Sequence, residues 1–246
     1  MKKIILPALL AALCVSAATV AAPVSEPVKT SAHFDQQNRN VGNFHAINVA
    51  GSMDVFIRQT GSISVKVDAD KDVIDRIETK VEGGVLKISL KNSSDWKWWK
   101  NMGDKKMNVY VTVKDIDGIQ LTGSGDVAID GELKASSLDL SLSGSGDLKG
   151  KISAKSVGCS LTGSGDLSVS GRAETSDVRL TGSGDYSGGG LITANTSVRI
   201  TGSGDASVHA TQKLDAHVSG SGDIRYGGSP KNVSKSTSGS GDISQM

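Results

Sequence analysis

Seven aspartates recur at nearly constant spacing along this chain: Asp126, Asp147, Asp166, Asp185, Asp205, Asp223 and Asp242. Each closes a copy of Gly-Ser-Gly-Asp, and successive copies are 21, 19, 19, 20, 18 and 19 residues apart. Three chemistries use such a motif. A phosphate loop needs G-x-G-x-x-G running into a helix, and no copy continues that way. Calcium is bound by tandem repeats of about nine residues, G-G-x-G-x-D-x-U-x, whereas here one aspartate stands in each unit of 18 to 21 residues. The third chemistry is structural: glycine supplies a positive φ and the carboxylate accepts from the amides of its own turn. Carboxylates stacked ~4.8 Å apart repel by roughly 0.9 kcal/mol in water, while a side-chain cap contributes about 0.5–2 kcal/mol. No metal and no cofactor is therefore required. Asparagine caps equally well, so the choice of aspartate reads as a guard against aggregation.

Other reactive residues are sparse. His33, His45, His209 and His217 show no metal-ligand spacing, and serine is too abundant to single out a nucleophile. Cys159 has no histidine or basic neighbour in sequence to activate it and reads as a small buried residue. One segment stands out as a binding surface: Trp96, Lys97, Trp98, Trp99 and Lys100 hold every tryptophan of the protein. Such rings stack on sugars or sit at a lipid interface, or they plug the end of a fold. The motifs name no catalytic residue.

The elements that position these residues follow from the columns around each turn. The residue before every motif is Thr or Ser, preceded by Leu121, Leu142, Leu161, Leu180, Ile200, Val218 and Thr237. Two positions further back lie Ile119, Leu140, Cys159, Val178, Val198, Ala216 and Lys235. Apolar, variable, apolar, hydroxyl is the period of a strand with one buried face. A second short alternation follows most motifs, as in Val127-Ala128-Ile129. One unit is thus strand, turn, strand and a polar return such as Gly171–Ser176, too short to hold a crossover helix. A fixed period places turns and inward columns in register, which predicts a parallel β-helix over 119–246. Lys235 and Thr237 in the inward places give the last rung the polar edge that stops a solenoid from pairing further.

Composition agrees. The 246 residues carry 27 basic and 26 acidic side chains, which removes the global case for a nucleic-acid partner. Glycine, 30 residues, is in surplus, but proline is scarce and no G-X-Y period exists, so collagen is excluded. Before the repeats, residues 1–22 read as a signal peptide: Lys2-Lys3, an apolar run from Ile4 to Val20, then Ala21-Ala22. Its removal leaves 25 basic against 26 acidic side chains and Cys159 as the single thiol. No second apolar run of spanning length follows, so the mature chain is expected to lack a transmembrane segment. Residues 23–40 read as a linker and 41–118 as an N-terminal strand region that caps the helix, with 41–246 one continuous domain. Gly51-Ser52-Met53-Asp54 resembles a degenerate first copy of the turn.

The chain resembles the bacterial GIN-domain family, the head domains named for auto-transporter adhesins. The resemblance is carried by Phe44-His45-Ala46-Ile47-Asn48-Val49-Ala50-Gly51, by Val85-Leu86-Lys87-Ile88 and by Leu121-Thr122-Gly123-Ser124-Gly125-Asp126. It implies a right-handed parallel β-helix in an exported protein of the periplasm, outer surface or medium, and no catalytic residues. The function expected is a non-enzymatic envelope or secreted protein that binds a surface glycan or an envelope protein. The alternatives are a polysaccharide-modifying enzyme on a β-helix and a calcium-dependent scaffold.

Overall fold

The computed structural model describes residues 34–91 and 105–246. These residues form a parallel β-helix of stacked rungs. The repeats supply the long strands β9 (Val127–Gly144), β10 (Leu148–Gly163), β11 (Leu167–Gly182), β12 (Tyr186–Gly202) and β13 (Ala206–Gly220). Each pairs in parallel with the next, so that Leu142, Leu161, Leu180, Ile200 and Val218 share one column. Every member of that column is at least 97% buried, and full burial of one aliphatic side chain contributes roughly 1.5–3 kcal/mol. Cys159, 1% exposed, lies between Leu140 and Val178.

One difference from the sequence reading concerns the polar return. Gly171–Ser176 is strand: Gly171 pairs with Ile152 and Ser176 with Val157. The ladder continues because parallel bonds need only backbone, and the chain turns this second corner through register shifts such as Lys149/Lys151. A second correction falls on the linker. Its final residues form β1 (Phe34–Arg39), antiparallel to β4 (Ser64–Asp70). β1 is an edge strand, so it needs little apolar surface, and its pattern is silent to a search for alternation.

The N-terminal rungs are stacked out of chain order. β2 (Ala46–Gly51) pairs on one side with β6 (Val85–Leu90) and on the other with β8 (Gly118–Gly123). β3 (Asp54–Gln59) likewise lies between β7 (Met107–Val113) and β9. The rung made by β6 and β7 therefore lies before the rung made by β2 and β3. Antiparallel strands complete this end: β4 against β7, and β5 (Ile77–Glu82) against β6. Between β4 and β5 the single turn α1 (Lys71–Ile74) buries Val73 and Ile74.

The other end is polar. β14 (Ile224–Gly227), β15 (Asn232–Gly239) and β16 (Ile243–Gln245) finish the stack, and all of β15 is exposed. Lys235 folds over the core end, its Nζ 4.6 Å from the Tyr226 ring centroid and 3.0 Å from the Ile243 carbonyl. The lysine stem covers apolar surface while its charge stays in contact with an acceptor.

Candidate functional site

At the Gly-Ser-Gly-Asp corner the aspartates form a ladder. The Asp147 N–H donates to Asp126 Oδ1 (3.0 Å), Asp166 N–H to Asp147 Oδ1 (3.1 Å) and Asp185 N–H to Asp166 Oδ1 (3.0 Å). Asp205, Asp223 and Asp242 continue the series at 2.8, 2.8 and 2.9 Å. The acceptor lies in the neighbouring rung, whereas capping of the aspartate's own turn was the expectation. In every turn but the last the first glycine's carbonyl takes two amides from the next rung, as Gly144 does from Ser164 (2.9 Å) and Gly165 (3.1 Å). A Cβ on Gly165 would overlap the Gly146 carbonyl oxygen, so the close stacking admits no side chain there. Gly51-Ser52-Met53-Asp54 sits directly before the first full copy: Asp126 N–H donates to Asp54 Oδ1 (3.3 Å). Met53, fully buried, replaces the second glycine in the one copy that stacks on no earlier Gly-Ser-Gly-Asp turn.

A cavity lies a few residues upstream on the same strands. It is a polar groove of about 510 Å³ spanning five rungs. One register column brings Ser137, Ser156, Thr175, Asn195 and Lys213 together. The next brings Asp139, Gly158, Asp177, Ser197 and Asp215. Acids therefore stand on alternate rungs, about 9.6 Å apart, twice the ~4.8 Å strand spacing. Ser156 Oγ donates to Ser137 Oγ at 3.0 Å, and Arg179 Nη2 donates to Asp177 Oδ2 at 2.8 Å. No carboxylate of this column accepts a backbone amide among the described residues. The signal was present in the sequence, since Asp139, Asp177 and Asp215 each precede a Gly-Ser-Gly-Asp motif by five residues and recur every 38. It escapes the apolar columns because these three positions lie on the solvent side of the strands.

The remaining candidates do not assemble into a catalytic constellation. Trp96, Lys97, Trp98, Trp99 and Lys100 lie outside the described residues. His45 Nδ1 is 2.9 Å from Asp117, exposed, and His209 packs beside Gly227. Among the described residues no histidine hydrogen-bonds a serine or the cysteine, and no three His, Cys, Asp or Glu side chains gather as a metal cage. Burial pushes the Cys159 thiol up to about 12, with Tyr186 Oη 3.9 Å from its Sγ. Burial also raises Tyr186 well above its ordinary value, so neither group ionises near neutrality. The groove can bind through donors and acceptors fixed on rigid strands. It shows no nucleophile paired with a base.

The family model described as "Putative auto-transporter adhesin, head GIN domain" matches residues 43–230. Among solved structures, a putative adhesin from Bacteroides fragilis is similar at 25% identity and a TM-score of 0.78, covering 88% of this chain and 98% of its own. A putative lipid binding protein from Parabacteroides distasonis is similar at 25% identity and a TM-score of 0.70, with the same coverage. A putative adhesin from that organism matches at 24% identity and 0.69, again over 88% of this chain and 98% of that one, a likeness of fold. No curated protein matches.

Proposed function

We propose, on the premise that the chain belongs to the putative auto-transporter adhesin, head GIN domain family, that it is an exported, non-enzymatic β-helix that binds a glycan at its surface. The observation that carries this reading is the groove over five rungs, where hydroxyl, amide, carboxylate, guanidinium and ammonium groups line one open channel. A glycan presents hydroxyls that donate and accept along its whole length, and such a lining can meet both needs. A stack of parallel rungs holds the lining at fixed spacing, so little ordering entropy is lost on binding. The names given to the similar structures support a surface role. Residues 1–22 supply the export signal in this reading, and Trp96, Trp98 and Trp99 with Lys97 and Lys100 supply a second contact.

A glycan array tests it. Wild type is expected to bind a restricted set of glycans, and a Trp96/Trp98/Trp99→Ala variant is expected to bind the same set more weakly. Absence of binding by wild type would overturn the reading, and identical profiles would remove the tryptophans from it. Sugar release from any bound glycan would point instead to an enzyme, and a melting temperature that follows calcium and chelator to a calcium-dependent scaffold.

A further inference from the structure

We infer that the groove takes a neutral, linear, β-linked polysaccharide laid along the solenoid axis, an inference that rests on the glycan-binding reading above. Three observations lead to it. The groove is long and open and runs across the rungs, from the rung of Ser137 and Asp139 to that of Lys213 and Asp215. Its shape suits a polymer rather than a compact small molecule. Its charges nearly cancel: three aspartates face Arg179 and Lys213, and Arg179 already holds Asp177. A polyanion would meet Asp139 and Asp215, whose carboxylates have no partner among the described residues. A polycation would meet the Lys213 ammonium, which no carboxylate holds among the described residues. A neutral hydroxyl-rich chain meets neither penalty.

The third observation is the alternation. The column reads Asp139, Gly158, Asp177, Ser197, Asp215, so an acceptor recurs on every second rung with a small residue between. Gly158 makes this spacing usable, since a Cβ there would strike Asp139 Oδ1. An extended β-1,4-linked pyranose chain advances by close to one rung spacing per sugar, the rungs being ~4.8 Å apart, and turns over at each step. Every second sugar then offers the same hydroxyls to the same face. Acid on alternate rungs matches that repeat, with Ser137, Ser156 and Thr175 contacting the sugars along the adjacent column. An α-1,4-linked glucan curves away from a straight groove and cannot keep the register.

The test is calorimetric titration with cello-oligosaccharides from disaccharide to octasaccharide, beside malto-oligosaccharides of the same lengths. Affinity for the β-linked series is expected to climb to about the pentasaccharide, which fills five rungs, and then level; the α-linked series should bind at least tenfold more weakly at every length. An Asp139→Ala/Asp215→Ala variant is expected to lose about tenfold in affinity for the octasaccharide, while Asp139→Asn/Asp215→Asn, which keeps acceptors, loses less. Thermal melting confirms that both variants fold. Equal binding of the two linkages, no dependence on length, no binding, or an unchanged Asp139→Ala/Asp215→Ala variant each overturn the inference. A positive glycan array alongside any of these would leave the broader reading standing, and a blank array would end both.

Discussion

At the Gly-Ser-Gly-Asp corner an aspartate stands on every repeat rung, and from Asp126 to Asp223 each Oδ1 accepts the amide of the next. Five residues upstream of the turns, on the same strands, an aspartate stands on every second rung and accepts no amide. The residue type is the same and the solvent exposure is similar, yet the two columns differ in what they touch. A side chain bonded to its neighbour's backbone belongs to the lattice, and replacing it loosens two rungs at once. A carboxylate that holds no backbone, as at Asp139 and Asp215, is free to meet a ligand. Repetition on every rung thus reports architecture, and alternation between rungs marks the surface that the inference above assigns to a ligand.

The comparison can be broken or sharpened by substitution. The largest effect is expected at the corner's glycines. Gly165→Ala drives a methyl into the Gly146 carbonyl oxygen, where no side chain can rotate away. It should cost about 3 kcal/mol or more in denaturant unfolding, and a loss below about 1 kcal/mol would mean that the rungs are not packed as described. Next comes a single ladder carboxylate. Asp185→Ala removes the acceptor of the Asp205 amide and should lower stability by about 1 kcal/mol. Hydrogen exchange at Asp205 should accelerate about fivefold or more in that variant, and exchange unchanged from wild type would contradict the ladder. The smallest effect is expected in the groove. Gly158→Ala meets only the end of the Asp139 side chain, which can swing aside, so stability should change by no more than about 0.5 kcal/mol. The displaced carboxylate should still weaken cello-oligosaccharide binding, measured by titration.

Much of the fold was legible in the sequence because its periods are local. Leu142, Leu161 and Leu180 announce a column through alternation alone, and the recurring turn fixes their register. What escaped depends on partners far along the chain. Nothing in Val85–Leu90 says that it lies beside Ala46–Val49, because a parallel pair records its partner only in the assembled stack. β1 is a polar edge strand, and edge strands need no apolar face. Gly171–Ser176 holds its place in the ladder through backbone bonds, which leave no trace in side-chain pattern. The candidate site was half legible: Asp126 to Asp242 drew notice because their motif is invariant, whereas Asp139, Asp177 and Asp215 hide among variable neighbours and need the rungs aligned before their spacing emerges.

The division of labour between the columns is tested most directly by urea unfolding of two double variants, measured side by side. Asp166→Ala/Asp205→Ala removes two acceptors from well-separated rungs of the corner, the partners of Asp185 and Asp223, and its losses should add to about 2 kcal/mol. Asp139→Ala/Asp215→Ala removes two carboxylates that support no backbone, and its stability should stay within about 0.5 kcal/mol of wild type. Equal losses in the two variants, or a larger loss in the groove, would contradict the account.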